Sequence, residues 1–384
     1  MRKLVVALAF LAIAAAPDDY ERANLLNIAL GGSVVSRSGE LTLDQSALRA
    51  IDGVPESAWN SPPNDGKQQT LVFALPAIAR VEKIGLRTPR APVFHVGKVQ
   101  FDSSTDGVTF IPIKTVVTAD KDDLQLFDIT PRNMLYIRVT TLEANGAFAR
   151  IESVQARGQL VQPVAQIPLD GCWTINGLSA SFHSDRGRVT GTIGGSHVVS
   201  LEGGSDGAVF RFVWISGPDW GFGAINSVPD GKHLSGLRWY VEPIEFSSAE
   251  SWFGERSACG ASVRAADTAT TFMQRAKRLP LYGLRFGANG ELDETHSAAT
   301  LDMLSEIATR TRFRLVSREF RQPNDVANKQ RAQQKLNSLR TTLQKRGVDV
   351  SHFDWIAMGS DAPPRKIESD IERVLYGTIE LQPL

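Results

Sequence analysis

The stretch AIDGVPESAWNS, residues 50–61, decides the fold of the first third of this 384-residue chain. It contains an Asp-Gly dipeptide, Asp52-Gly53, and a single large aromatic residue, Trp59. An Asp-Gly dipeptide favours a tight turn, because Asp accepts hydrogen bonds from turn amides and Gly adopts positive φ without strain. An indole that follows such a turn can close one end of a β-sandwich core.

Short β-type runs surround this stretch between residues 20 and 160. Gly, Pro and Asp-Gly separate them, and this spacing is typical of an antiparallel sandwich. The runs are Thr70–Leu75, Val81–Arg87, Gly97–Asp102, Met134–Val139 and Arg150–Ala156.

Three further strings follow in order: FDSSTDGVTF at 101–110, LYIRV at 135–139 and ARIESV at 149–154. Together with residues 50–61 they resemble the discoidin, or coagulation-factor type C, domain, which includes the galactose-binding-like carbohydrate modules. The resemblance covers residues 22–158. It implies a jelly-roll β-sandwich that binds glycans or other ligands through loops at one end.

Two loops of this domain carry the groups that a sugar site requires, namely an aromatic face and planar polar groups for the hydroxyls. For each residue, ordinary loop packing or solvation is the alternative. The candidate glycan-binding residues are Arg87, Arg90, Phe94 and His95 in loop 87–96, and Asn145 and Phe148 in loop 143–148.

Many members of the family carry a structural Ca²⁺ near the Asp-Gly turn. Asp52, Ser57 and Glu152 stand at the matching places. Ser57 replaces the usual Thr, and Val54 stands where Asn or Asp is common. The resemblance therefore implies a calcium site, and a turn capped without metal is the alternative.

Residues 1–16, MRKLVVALAFLAIAAA, have the pattern of a secretory signal peptide. Two basic residues precede an apolar run of ten, and small residues suited to cleavage follow. The run is too short to cross about 30 Å of hydrocarbon. We expect an exported mature chain in the periplasm, or associated with the outer membrane, of a Gram-negative bacterium.

Residues 170–260 form a second zone, dense in Gly and holding five of the seven Trp. Alternating runs and hairpin turns predict an antiparallel barrel or curled sheet. Cys172 and Cys259 lie near its ends. Export would place both in an oxidising compartment, which favours a disulfide, with two unpaired buried thiols as the alternative. Residues 159–169 and 261–277 are predicted linkers.

The second zone also raises the possibility of a hydrolase, because paired carboxylates carry out glycoside hydrolysis. Turn and surface roles are the alternative for the carboxylates, and core packing is the alternative for the Trp residues. The candidate carboxylates are Asp206, Asp219, Asp230 and Glu255, and the candidate sugar platforms are Trp220 and Trp252.

Residues 278–384 show an α+β pattern. A strand at Leu281–Phe286 and helices at Ala298–Thr309 and Val326–Arg346 are expected, with Gly347 ending the second helix. The predicted order is β-α-β-α-β-β. This order resembles the OmpA-type peptidoglycan-associating domain, over residues 278–383.

That family anchors a peptide carboxylate and amine with an Asp after the second strand and an Arg on the long helix. Here Phe320 stands at the Asp position, so that carboxylate is lost. Lys335 stands at the Arg position and keeps the positive charge without the fork geometry of arginine. Asp325 lies nearby, and Arg373 matches a family Arg near the end. Lys335, Asp325 and Arg373 are the candidate peptidoglycan-binding residues.

The 42 basic and 42 acidic residues of the whole chain cancel, which argues against generic attraction to nucleic acid. The fold class predicted is multi-domain and mainly β: a sandwich, a barrel and an α+β domain. The favoured function is a non-catalytic cell-envelope protein that binds glycan and associates with the cell wall or an envelope partner. A carbohydrate-active hydrolase and an assembly protein with protein partners are the alternatives.

Overall fold

The structure is a computed structural model. It describes residues 24–384 apart from 55, 64–67, 166–167, 196–197, 207, 241–248, 260–266, 310–311, 362, 364–366 and 368. The predicted signal peptide lies outside the described residues. The chain is multi-domain and mainly β, as expected, and its three units pack against one another.

The first unit is the expected jelly-roll-type sandwich. Its main sheet has the order β1-β3-β6-β4-β5, β8 pairs with β3, and β2 pairs with β7. Register shifts interrupt the long strands β3 and β6, which is how strands of such length bend around a core. The strands are β1 Ser33–Arg37, β2 Trp59–Asn60, β3 Gln69–Arg87, β4 Val96–Ser104, β5 Ile111–Val117, β6 Gln125–Ala144, β7 Arg150–Ile151 and β8 Ser153–Leu160.

The second unit is a closed antiparallel barrel of eight strands, in which the last strand pairs with the first. Aromatic and aliphatic side chains fill its interior, including Trp173, Phe212 and Trp252. A disulfide joins Cys172 to Cys259. The strands are β9 Gly171–Ile175, β10 Leu178–Asp185, β11 Arg188–Ile193, β12 Val199–Asp206, β13 Val209–Ser216, β14 Asp219–Ser227, β15 His233–Tyr240 and β16 Glu250–Arg256.

Strands β13, β14 and β15 are buried on both faces, unlike a barrel strand that faces solvent. The outward side chains of Val213, Phe222 and Trp239 belong to a core shared with the other two units. The barrel is therefore the central unit, and the sandwich and the C-terminal unit pack on its outer surface.

The third unit is α+β. Its sheet has the order β17-β20-β18-β19, with β18 and β19 parallel and the other pairs antiparallel. Its elements are α1 Thr268–Ala276, β17 Leu279–Pro280, α2 Ala298–Ile307, β18 Phe313–Arg318, α3 Asp325–Lys345, β19 Phe353–Gly359, α4 Asp370–Tyr376 and β20 Ile379–Pro383.

Two sequence expectations for this unit were wrong. Residues 281–286 do not form a strand; Leu281, Tyr282 and Leu284 are instead buried between units, and the Tyr282 hydroxyl donates to Leu375 O at 2.8 Å. The second error is the omission of α4, which separates the last two strands. Its seven residues are too few for a clear helical period, although Ser369 caps it through a reciprocal bond with Glu372.

The segment that precedes β1 ties the sandwich to the barrel. The buried Asn226 amide on β14 donates to Ile28 O and to Gly32 O, both at 2.7 Å. The Ser235 hydroxyl of β15 accepts from Val34 N at 2.9 Å. None of the helices in the described ranges combines the length and apolar character needed to cross a bilayer.

Candidate functional site

The two loops singled out from the sequence meet in the structure. The rings of Phe94 and Phe148 stack with centroids 4.0 Å apart and planes 9° from parallel. Asn145 N donates to His95 O at 2.8 Å, and Arg150 N donates to Phe94 O at 3.1 Å. The loops therefore form one surface next to the start of β4.

The backbone at this surface is held in an unusual conformation. Phe94 has φ of 56°, in the left-handed region that a residue with a bulky side chain seldom adopts. Gly146 opposite has φ of 92°, and a Cβ there would lie 3.1 Å from Phe94 N. The close approach of the two loops thus requires glycine at 146. Strain of this kind clusters at functional sites.

Polar side chains border the stacked rings. Asn145 is exposed, and the Arg90 side chain is 68% exposed, with its guanidinium 3.9 Å from Asp122. Arg87 is more constrained, because its Nε donates to Asp122 O at 2.8 Å and pairs with Glu152 at 3.0 Å. Arg90 and Asn145 are therefore the polar groups most free to meet a ligand.

His95 has a different role. Its side chain is buried, with Nδ1 2.7 Å from Pro89 O and Nε2 3.1 Å from Thr118 Oγ1. Both ring nitrogens are engaged inside the loop. The structure therefore places His95 beneath the surface as a support rather than on it.

The residues implied for calcium are only partly together. The Ser57 hydroxyl donates to Asp52 Oδ1 at 2.6 Å, and Val54 N donates to the same oxygen at 2.9 Å. The other carboxylate oxygen, Oδ2, accepts from Arg49 at 3.2 Å, and both side chains of this ion pair are fully buried. A guanidinium therefore stands where the resemblance places a cation.

Glu152, the third implied ligand, is bound to Arg87 and to Arg150, at 3.0 and 3.3 Å. Within the described part of the chain, no group of three or more His, Cys, Asp and Glu side chains could hold a metal ion. Burial raises the pKa of Asp52, against the opposing effect of Arg49. The residues present do not fit a metal at this turn.

In the C-terminal unit, Lys335 pairs with Glu319 at 2.6 Å, and both side chains are buried. Burial would raise the pKa of Glu319, but the charges of Lys335 and Arg321 outweigh it and hold that pKa below its usual range. Burial also lowers the pKa of Lys335, with Glu319 opposing. Glu319, which adjoins Phe320, thus supplies the carboxylate beside Lys335.

The other two candidates of this unit lie apart from that pair. Asp325 precedes Lys335 by ten residues on α3, about 15 Å along the helix, and accepts from the Ser360 hydroxyl at 2.5 Å. Arg373 pairs with Asp370 on α4 at 3.2 Å. The structure does not gather Lys335, Asp325 and Arg373 into one ligand set.

The barrel carboxylates and Trp side chains serve mainly structural roles. Asp219 begins β14 at a hairpin, and the Asp230 carboxylate accepts from Lys232 N and His233 N in a turn. Trp220 packs edge-on against Phe272 of α1, and Trp252 stacks on Phe212 inside the barrel. The side chain of Asp206 lies outside what the structure describes. Glu255 is exposed on β16.

Comparison with known families identifies the first unit. A family model for the F5/8 type C domain matches residues 34–154. This range includes the Asp52 turn and both convergent loops. No curated protein matches the chain. The OmpA-type resemblance of residues 278–383 receives no support from these comparisons.

Several solved domains are similar to about one third of this chain. One is the C-terminal domain of a chitobiase from Bacteroides fragilis: 21% identity, TM-score 0.32, covering 34% of this chain and 96% of that one. Another is the family 32 carbohydrate-binding module of NanJ from Clostridium perfringens, in complex with galactose. It has 20% identity and a TM-score of 0.29, covering 33% of this chain and 98% of that one. A third is chitosan-binding module 1 of a chitosanase/glucanase from Paenibacillus sp. IK-5. It has 20% identity and a TM-score of 0.30, covering 34% of this chain and 98% of that one.

Arg49 shapes the Asp52 turn and was not expected from the sequence. It lies three residues before Asp52, a spacing that lets the two meet across a short helical turn, and this was the available signal. Glu319 adjoins the family's Asp position at Phe320 in the sequence, and the structure adds that its carboxylate pairs with Lys335.

Proposed function

We propose that this chain is an exported, non-catalytic cell-envelope protein that binds glycan through the loop surface formed by residues 87–96 and 143–148. The observation that carries the proposal is the convergence of these loops on the stacked pair Phe94 and Phe148. The F5/8 type C match over residues 34–154 supports it.

The chemistry of the surface suits a sugar. The Phe94 and Phe148 rings are half-buried and offer apolar area for the C–H face of a pyranose. Arg90 and the Asn145 amide supply hydrogen-bond donors and an acceptor for ring hydroxyls. The internal bonds of Arg87 and His95 hold the loop in place, which reduces the entropy lost when a ligand binds.

A glycan array followed by titration calorimetry tests this proposal. Phe148→Ala should weaken binding at least about tenfold, because the platform is lost. The matched control is Phe110→Ala. Phe110 follows the far end of β4, whose nine residues span about 30 Å, and it lies under Arg138 away from the loops.

Asn145→Ala provides a second variant that leaves the aromatic stack intact. It should weaken binding without lowering the melting temperature, because Asn145 is exposed. Absence of binding to any glycan by the wild type, or equal losses in the Phe148 and Phe110 variants, would refute the proposal.

We further propose that the C-terminal unit associates with the cell wall or with an envelope partner. Residues 261–384 hold 19 Lys and Arg against 15 Asp and Glu, a surplus suited to an anionic partner. The OmpA-type resemblance of residues 278–383 points the same way. A pulldown of the full chain with insoluble peptidoglycan tests it, and absence of retention, with no envelope protein co-purifying, would refute it.

A further inference from the structure

A cleft opens at the seam between the sandwich and the barrel, away from the loop surface. It has a volume of about 230 Å³ and lies between β1 of the sandwich and strands β9, β15 and β16 of the barrel. This volume is below the ~300–1,000 Å³ that drug-sized ligands occupy, so it suits a single small ring. The residues that matter in its lining are Arg37, Thr174, His233, Phe253 and Glu255.

Arg37 is fixed in place at the sandwich wall. Its guanidinium carbon lies 3.5 Å from the centre of the Phe253 ring, and its Nε pairs with Glu40 at 2.5 Å. Within the described residues, the two terminal nitrogens of Arg37 have no partner. They are preorganised donors that remain available to a ligand.

The barrel wall offers groups of complementary kind. His233 is oriented by a bond from Nδ1 to Asp230 at 2.5 Å, so that Nε2 remains for a ligand. Glu255 lies opposite His233 in the register of β15 and β16. Its carboxylate has no hydrogen-bond or ion-pair partner among the residues that the structure describes, and the same holds for the Thr174 hydroxyl.

The charges of the cleft favour a cation. Arg37 is offset by Glu40, and His233 by Asp230, which leaves the carboxylate of Glu255 uncompensated. An ammonium group is its natural partner. The donors of Arg37, the hydroxyl of Thr174 and the His233 nitrogen suit a ring whose hydroxyls both donate and accept.

We propose that this cleft is a second ligand site, which binds one amino-sugar unit with its ammonium group on Glu255. The site is separate from the loop surface and does not depend on the glycan-binding function proposed for that surface.

Titration of the full chain with glucosamine, N-acetylglucosamine and glucose, followed by NMR or calorimetry, tests the inference. Glucosamine should bind up to about fivefold more tightly than the two neutral sugars, because it alone carries an ammonium group to pair with the exposed Glu255 carboxylate. Glu255→Gln should abolish this preference while keeping the shape of the cleft.

Asp219→Asn is the matched control, since it removes one exposed carboxylate at another hairpin of the same barrel. It should leave the preference for glucosamine unchanged. Thr174→Val, a change of similar size on the cleft wall, should weaken glucosamine and glucose to the same extent. Phe148→Ala should not affect glucosamine binding.

The inference is overturned if glucosamine binds no better than glucose, or if Glu255→Gln and Asp219→Asn have equal effects. It is also overturned if Phe148→Ala removes glucosamine binding, because the sugar would then occupy the loop surface. Loss of glycan-array binding with retained glucosamine binding would refute the loop proposal alone.

Discussion

Two Asp-Gly turns of the sandwich look alike in sequence and differ in the structure. Gly53 and Gly107 both adopt left-handed backbone, with φ of 72° and 75°. Asp52 is fully buried, and burial raises its pKa. Asp106 is exposed, and backbone bonds from Thr109 and Val108, with a bond from Ser104, lower its pKa to about 2.

The difference lies in what surrounds each carboxylate. Among the described residues, Asp106 accepts only from its own hairpin, between β4 and β5. Asp52 binds Arg49, whose guanidinium also donates to Ala249 O of the barrel at 3.0 Å. The dipeptide thus specifies a turn in both places. The turn at Asp52 is also held against the barrel, because Arg49 bonds both to Asp52 and to Ala249 O.

The largest loss of stability should follow from breaking the buried ion pair between Arg49 and Asp52. Arg49→Met would leave the Asp52 carboxylate buried without its cation, at a cost of about 3–5 kcal/mol in the free energy of unfolding. Urea denaturation followed by Trp fluorescence measures this loss. Lys83→Met is the control, because Lys83 and Asp128 form an exposed pair worth at most about 1 kcal/mol.

Adding Asp52→Asn to Arg49→Met should recover part of that stability, because the uncompensated charge is then gone. A double variant as unstable as Arg49→Met alone would contradict the assignment of Arg49 as the internal cation of this turn.

Replacing Gly53 or Gly107 should lower the stability by a smaller amount. Each Gly→Ala change places a side chain in the left-handed region, which costs about 1–2 kcal/mol. Gly53→Ala should cost more, because its Cβ would lie 2.8 Å from the buried Asn27 amide, whereas at Gly107 the nearest atoms belong to the Tyr136 ring at 3.2 Å. Thermal melts of the two variants compare them directly, and the reverse order would contradict this account.

The two carboxylates should affect stability with opposite dependence on pH. For Asp106 the folded pKa of about 2 lies below the usual value of 3.8, so its contribution is present above that usual value and is lost as pH falls toward 2. For Asp52 the folded pKa is raised, so its contribution is present at low pH and declines as pH rises through that value.

Unfolding measured against pH in Asp106→Asn and Asp52→Asn checks these signs. Asp106→Asn should remove part of the acid sensitivity, and Asp52→Asn should leave it in place. Equal changes in the two profiles would show that the environments of the turns are not as different as the structure indicates.

Calcium should have the smallest effect on the melting temperature. A ligand that binds only the folded state raises the melting temperature, but Asp52 already accepts from Arg49, Ser57 and Val54. Adding Ca²⁺ or a chelator should therefore shift the melting temperature by less than about 1 °C. A larger shift on adding Ca²⁺ would mean that the metal displaces Arg49.

Much of the architecture could be predicted from local pattern. Trp59 is buried, as the Asp-Gly-to-Trp spacing suggested, and the alternating runs of the second zone form a barrel. Helix α3 was predicted within one residue at each end from its period and from Gly347, which follows its end with φ of 78°. The structure adds the N-cap, Asn324. These signals are local, so the sequence carries them directly.

The candidate sites were less predictable. The resemblance located Phe94 and Phe148, but their stacking joins two residues that lie 54 positions apart in the chain. The contact of the buried His95 with Thr118 and the pairing of Glu152 with Arg87 likewise depend on neighbours distant in sequence. The cleft between the sandwich and the barrel is lined by residues of both units, and no sequence motif marks it.

By itself, the sequence determined the turns, the strand and helix periods and the order of the three units, because each follows from side chains a few residues apart. Only the tertiary structure decided which turn is buried, which strands of the barrel are covered on both faces, and which polar groups remain without partners. Those outcomes depend on how the units pack against one another, since burial and pairing are set by atoms that meet across long sequence separations.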